Sequence, residues 1–265
     1  MIHMNARVHD NISSGYEILH GEIFNPVEQE RLKRKLSEAL TFLQTPSERK
    51  LALDYGCGTG NLTRHLIEAG VKVVSADVSK KFLESVEKEH SGTGLSETLL
   101  VNGRNLSGIQ DGTFDLVATY SVLHHVPDYL SLIMELHRVT KRGGGIYIDH
   151  ELNDSYWKPD GMYAEFLNCA PQEPETGWRK YLRFSNYVNG IKCLLNPRWK
   201  PEGDIHVWPD DHIEWGRIEA VLRSLGAEII MKEDYLLFRR GYPEDIYKRY
   251  KEWTSDTRVL LARKA

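Results

Sequence analysis

The run LALDYGCGTG, residues 51–60, places Gly56, Gly58 and Gly60 at alternate positions behind a short apolar segment that contains Asp54. Glycines after a strand let the backbone approach a ligand closely, and the amides of a following helix face that ligand. A pyrophosphate-binding G-x-G-x-x-G loop needs its third glycine at position 61, where this chain has Asn61. Asp54 sits where a carboxylate repels phosphate, so it either orders the loop or faces a cationic ligand through water. Asp77, closing the next apolar run VKVVSAD, is placed to accept hydrogen bonds from both hydroxyls of a ribose. These residues together describe a site for a nucleoside that carries positive charge and no phosphate.

The elements that must hold these residues follow from the apolar periodicity. Asn25 caps a helix to Leu43, with Pro26 at its first position, Glu28 completing an N-x-x-E capping box, and Leu32, Leu36, Leu40 and Leu43 on one face. Leu51–Tyr55 reads as a buried strand, Asn61–Ala69 as a helix closed by Gly70, VKVVSAD as a strand, and SKKFLESVEKEH as a helix capped by Ser79. A short strand near Thr98–Val101, the strand FDLVATY, a helix PDYLSLIMELHRVT stopped by Gly143–Gly145 and the strand GIYIDH continue the alternation. Strands and helices in this rhythm imply right-handed βαβ units on a parallel sheet, an α/β doubly wound core. Residues 151–210 break the rhythm and concentrate tryptophan and tyrosine, reading as a helical or irregular insertion that covers a site. A helix from about Asp211, a strand AEIIMKEDYLLFRR, a helix PEDIYKRYKEW and a strand TRVLLARK then return to the sheet.

LDYGCGTG, SADVS and FDLVATYSVLHHVPD, in this order and spacing, resemble the first, second and fourth motifs of the class I S-adenosylmethionine-dependent methyltransferases. The resemblance is to the small-molecule branch that includes ubiquinone and menaquinone methylases, and it is strong over residues 48–150. It implies a Rossmann-like seven-stranded sheet whose last strand is antiparallel, with an N-terminal helical lid and the aromatic-rich insertion after the fifth strand. The expected division is a lid and helix at 1–47, a cofactor-binding core at 48–150, a substrate-covering insertion at 151–210, and the rest of the sheet at 211–265. The implied cofactor is S-adenosylmethionine, leaving as S-adenosylhomocysteine. Gly56, Gly58 and Gly60 would pack under its methionine portion, Asp77 would hold the ribose, and Val78 would touch the adenine. Asn102, followed by Gly103, stands where relatives often place an acidic residue for the adenine amine, and its amide oxygen can accept the same bond. Tyr120 and Ser121 would border the sulfonium, and Tyr16 and His20 would cover the methyl donor from the lid.

The acceptor belongs beyond the carboxyl ends of the strands, near His124, His125, Asp149, His150 and Glu151. Methyl transfer is accelerated by alignment and water exclusion, and a hydroxyl acceptor also needs a base. His150 is the first candidate and His206 the second. His124 and His125, in an LHH signature, are read as bracing the strand-to-helix turn or, with Glu151, Trp208 and His212, as contacting the acceptor. DIHVWPDDHIEWGR crowds His206, Trp208, Asp210, Asp211, His212 and Trp215, but its spacing matches no zinc signature, so no metal is expected. The alternative is a substrate wall of tryptophan faces with histidine handles. GWRKYLRF and NPRWK interleave basic and aromatic residues that could stack a sugar or base and grip a phosphate or carboxylate. O-methylation of a glycan, nucleotide sugar or aromatic metabolite is the favoured reading. A tRNA or RNA base methyltransferase, a nicotinamide-dependent oxidoreductase and a catalytically silent cofactor-binding subunit remain as alternatives.

The 265-residue chain carries a net charge of −4, without the broad positive field that a polynucleotide partner usually requires. The partner expected is a small molecule. Cys57, Cys169 and Cys193 form neither a C-x-x-C pair nor an even set, which fits a reducing compartment, and Cys57 reads as a packed residue without a chemical role. No stretch has the character of a leader or a membrane span, so a cytoplasmic enzyme is expected.

Overall fold

The computed structural model describes residues 20–170, 213–239 and 241–265. It opens on helix α1 (Pro26–Thr41), where the Asn25 side chain accepts the Glu28 amide at 3.0 Å and Pro26 fills the first position. The capping box is only half formed. The Glu28 carboxylate turns away from the helix start to Arg31 and the Tyr120 hydroxyl, for a reason found in the site below. Leu32, Leu36 and Ala39 are buried, with Leu40 and Leu43 packed at the edge of the same cluster.

The strands are β1 (Leu51–Tyr55), β2 (Lys72–Asp77), β3 (Ser96–Leu100), β4 (Phe114–Tyr120), β5 (Thr140–Leu152), β6 (Ala227–Tyr235) and β7 (Thr257–Lys264). They form one seven-stranded sheet in the order β3-β2-β1-β4-β5-β7-β6. β1 to β5 pair in parallel, and β7 lies antiparallel between β5 and β6. The seven-stranded sheet with an antiparallel last strand is therefore present. Between the strands run α2 (Asn61–Glu68), α3 (Lys80–His90) and α4 (Tyr129–Val139), followed by the short α5 (Asp154–Trp157), α6 (Gly161–Cys169), α7 (Trp215–Ser224) and α8 (Glu244–Tyr250).

Burial explains why the sheet is covered on both faces. All seven residues of β4 are buried, as expected of a central parallel strand. One apolar cluster joins the sheet to α4 and α7 through Leu132, Ile133, Leu136, Ile218 and Leu222. A second joins it to α1 and α2 through Leu32, Leu36, Leu62 and Leu66. A third, smaller cluster unites Tyr163 and Phe166 of α6 with Tyr247 and Tyr250 of α8 and the Leu236–Tyr242 segment. The described start of the insertion is thus helical and owns a small aromatic core.

Two expectations are corrected. Gly143–Gly145 do not stop a helix: α4 ends at Val139, and the glycines lie inside β5. A Cβ on Gly145 would come within 2.8 Å of Leu43 and 3.0 Å of Leu261, so the glycine is set by close packing. Trp215 is not part of a substrate wall. It is buried, its indole N–H donates to the Leu152 carbonyl at 2.9 Å, and it anchors α7 in the core. Among the described residues, no helix is long and apolar enough to cross a membrane.

Candidate active site

The strand order reverses direction between β1 and β4, which opens a crevice at their carboxyl ends. A small cleft, open to solvent, is lined there by Gly56, Cys57, Gly58, Thr59, Tyr120 and Ser121, among others. Asp54 and Asn61 also reach it, and Ile23 and Phe24 close one side from the turn before α1.

The three glycines share left-handed backbone, with φ of 74°, 52° and 93°, but each for its own reason. At Gly56 a side chain would collide with Val122, at 2.5 Å from a Cβ. At Gly60 it would press on Val86 at 3.1 Å. At Gly58 a Cβ would meet nothing within 4 Å, so this glycine faces the open cleft. The loop is tied down by the Gly56 and Cys57 amides, both donating to the Ala76 carbonyl at the end of β2.

Asp77 organises the loop. One oxygen of its carboxylate accepts the Gly58 amide at 3.0 Å and the other the Ser79 amide at 2.8 Å. It therefore stands at the seam of β1, β2 and the loop, where two ribose hydroxyls would lie. Val78 follows it, half-buried, and the Val101 amide donates to the Asp77 carbonyl, which brings Asn102 and Gly103 to the same sheet end. The exposed Asn102 side chain folds back on its own loop, its oxygen accepting the Arg104 and Asn105 amides at 2.7 and 3.0 Å. That oxygen braces a turn, and an adenine amine would have to share it.

Asp54 acts on the loop and not across the cleft. Helix α2 begins at Gly60, which has no side chain to cap it. The Asp54 carboxylate reaches over from β1 and accepts the Thr63 amide at 3.0 Å and the Thr63 hydroxyl at 2.7 Å. It is a remote helix cap, and its burial pushes its pKa up to about 7. Burial likewise raises the Cys57 thiol, which is no nucleophile.

The region where the acceptor was expected is built from β4, β5 and α1. Ser121 and His150 have positive φ, 59° and 61°, and they are the non-glycine residues so placed among those described. His150 sits where the β5–β7 register slips between Ile148 and Glu151, a bulge that re-aims the side chain. Both residues lie towards the carboxyl ends of the adjacent strands β4 and β5. The His150 ring stacks on Tyr120, centroids 4.6 Å apart, and its Nε2 is buried with no hydrogen-bond partner. Burial, then the Arg31 charge, lowers its pKa to about 3, so the imidazole is neutral near neutral pH.

Beneath the stacked pair lies a buried polar network that the α1 pattern did not foretell. Arg31 pairs with Glu28 at 2.8 Å through Nε and with Asp149 at 2.9 Å through Nη2, and its guanidinium lies 3.8 Å from the Tyr235 ring centre. The Tyr147 and Tyr235 hydroxyls donate to Asp149, as does the His150 amide. The Tyr120 hydroxyl donates to Glu28 at 2.8 Å, so it points to α1 and only its ring borders the cleft. This explains the missing half of the capping box. The available signal was Glu28, Arg31 and Lys35 on the same helical face as Leu32 and Leu36.

Glu151, expected against the acceptor, instead braces the turn after β4, and His124, read as bracing that turn or contacting the acceptor, does the first of these. One Glu151 oxygen accepts the Val122 and Leu123 amides at 2.8 and 2.6 Å, and the other meets His124 Nδ1 at 2.8 Å. The carboxylate is fully buried, and these bonds occupy both of its oxygens. Asp149 is likewise spent on Arg31. Tyr16, His206, Trp208 and His212 lie outside the described residues, as do the basic–aromatic stretches around Arg183 and Arg198. Among the described residues there is no group of three or more His, Cys, Asp or Glu that could hold a metal ion.

Residues 53–148 match the family described as a methyltransferase domain. Over that stretch the chain is similar to methyltransferase domains. A demethylmenaquinone methyltransferase of Geobacillus stearothermophilus is 34% identical over 52% of this chain and 58% of its own length. A ubiquinone biosynthesis O-methyltransferase of Methylococcus capsulatus is 34% identical over 36% of this chain and 41% of its own. The match thus spans less than two thirds of either relative. A solved SAM-dependent methyltransferase from Methanosarcina mazei, 21% identical, aligns over 85% of this chain and 95% of its own with a TM-score of 0.53, a likeness of fold. The residues would fit S-adenosylmethionine, the cofactor implied by the resemblance: a Cβ at Gly58 would meet nothing, and the Asp77 carboxylate holds the Gly58 amide beside that opening.

Proposed function

We propose that the protein transfers a methyl group from S-adenosylmethionine to an oxygen of a small aromatic acceptor. The observation that carries this reading is the cradle itself: a left-handed Gly58 open to the cleft, its amide fixed by Asp77, at the strand-order reversal of the sheet. The bound cofactor supplies an electrophilic methyl group on a sulfonium. Gly56, Gly58 and Gly60 would carry its methionine portion, Asp77 its ribose, and Val78, Asn102 and Gly103 its adenine. Tyr120 and Ser121 would flank the methyl, with the Tyr120 ring held in place by the network through Glu28. His150, neutral and with an unpartnered Nε2, would accept a hydrogen bond from the acceptor hydroxyl and orient it; with a pKa near 3 it is too weak a base to keep the proton, which would pass on to solvent as the new bond forms. Ile23 and Phe24 would exclude water from one side, continuing the lid expected over residues 1–47.

Support for an aromatic acceptor over a glycan comes from the matched relatives, which are named for quinones. The test is S-adenosylhomocysteine binding by calorimetry, followed by transfer of labelled methyl to a panel of hydroxyquinones and catechols. Asp77→Ala removes a charged acceptor and should weaken S-adenosylhomocysteine about 100-fold, a loss of about 3 kcal/mol. Absence of binding by the native protein, or unchanged affinity in the variant, refutes the cofactor site.

A further inference from the structure

One side chain adds a donor to the backbone cradle, and its orientation follows from its neighbours. Asn61, the first residue of α2, lines the cleft and is only 7% exposed. Gln29 of α1 reaches it from behind: its Nε2 donates to the Asn61 Oδ1 at 2.9 Å and to the Ile23 carbonyl at 3.0 Å. A backbone carbonyl can only accept, so Ile23 fixes which end of the Gln29 amide is nitrogen. That nitrogen must meet the oxygen of Asn61, and the Gln29 Oε1 is left to accept from His65 Nε2 at 2.8 Å. The bonds have one consistent orientation, and it leaves the Asn61 Nδ2 buried with no partner.

A buried NH2 group without an acceptor is costly. Here it stands at the start of α2, where the aligned peptide dipoles favour negative charge. Gly60 offers that helix start no side-chain cap, and the Asp54 carboxylate is spent on Thr63. The Thr59 hydroxyl, which also lines the cleft, is a second buried polar atom without a partner. Unmet donors at the positive end of a helix select an anionic oxygen group. The cofactor of the proposed reaction has one such group, the carboxylate of its methionine portion.

We propose that Asn61 binds this carboxylate, and that Gln29, which is not among the cleft-lining residues, is the positioning residue that turns the Asn61 amide nitrogen toward it. This rests on the methyltransferase reading, and the experiment separates the two. S-adenosylhomocysteine and its decarboxylated analogue, which keeps the adenosine, thioether and amine, are titrated into the protein by calorimetry. Native protein should bind the carboxylate-bearing ligand about tenfold more tightly. Asn61→Asp keeps the bond from Gln29 and turns an oxygen to the cleft, so that preference should vanish. A residue that merely started the helix would tolerate this change, because an acid suits a helix N-terminus. Gln29→Glu still accepts from His65 but cannot donate, so the Asn61 nitrogen should swing to Glu and leave its oxygen facing the cleft. The preference should vanish there too, with affinity for the analogue unchanged. A structural defect in either variant would weaken both ligands alike and keep their ratio. Equal binding of the two ligands by native protein, or a preference that survives Asn61→Asp, overturns the Asn61 assignment. A preference that survives Gln29→Glu but not Asn61→Asp overturns the positioning role. If S-adenosylhomocysteine fails to bind native protein, the methyltransferase reading falls first; if it binds no better than the analogue, only the Asn61 assignment falls.

Discussion

The cofactor half of the cleft and the acceptor half are built in opposite ways. The first is contiguous chain: β1, the glycine loop, α2 and β2 fall within residues 51–77, and their ligand-facing groups are backbone amides and one carboxylate. The second gathers single side chains from α1, the β4 turn, a bulge in β5 and Tyr235 at the end of β6. A backbone cradle needs only glycines and a short-range anchor. A side-chain pocket needs every contributing element in place first, so its residues are held by buried polar bonds that cost much to break.

That contrast can be tested from its largest consequence down. Glu151→Ala would strip acceptors from the Val122 and Leu123 amides and from His124, all at the acceptor half. At about 1–3 kcal/mol for each orphaned group, the loss should be on the order of 5 kcal/mol, read as a lowered urea midpoint. An undiminished midpoint would show that the turn does not depend on this carboxylate.

On the cofactor side, Asp54 should give the pH dependence. Its folded pKa of about 7 lies above its value in the unfolded chain, so the folded state holds the proton more tightly. Stability is then greatest at low pH and falls as pH rises from about 4 to about 7, by up to roughly 4 kcal/mol, and is level above. Asp54→Asn removes this contribution, so the difference in unfolding free energy between native and variant should change between pH 5 and pH 8. A constant difference would contradict the raised pKa.

The glycines sharpen the comparison further. Gly56→Ala meets Val122 and should cost stability in the range of about 1–3 kcal/mol, with cofactor affinity changing as a secondary effect. Gly58→Ala meets no neighbour, so beyond about 1 kcal/mol of left-handed strain its effect should fall on S-adenosylhomocysteine affinity. Equal melting shifts in the two variants would erase the distinction. The smallest expected effect concerns His150: with its pKa near 3, an NMR titration of its ring should show no inflection between pH 5 and pH 8. An inflection near 6.5 would place the ring in water and remove it from the stacked site.

Much of this was legible because it is local. The Asn25 cap, the Ser79 cap, Gly70 after α2, and the alternation of strand and helix depend on neighbours a few residues apart, and each is present. Where the reading missed, a distant contact decided. Glu28 satisfies the local capping pattern yet is drawn to Tyr120, 92 residues away, because Arg31 and Asp149 need charge balance in the interior. Gly143–Gly145 look like a helix stop until Leu43 and Leu261 close on Gly145. Asp54 was open to two readings, ordering the loop or facing a ligand, because nothing nearby in sequence shows that Gly60 leaves α2 without a cap.

The sequence by itself determined the sheet-and-helix rhythm, the cradle with its glycines and Asp77, and hence the class of nucleoside it would hold, since these rest on backbone geometry and short-range bonds. Only the tertiary structure decided which carboxylates are spent inside and which side chains remain to meet an acceptor. A charged group must find its partner wherever the fold brings one within about 3 Å, and that pairing has no period along the chain.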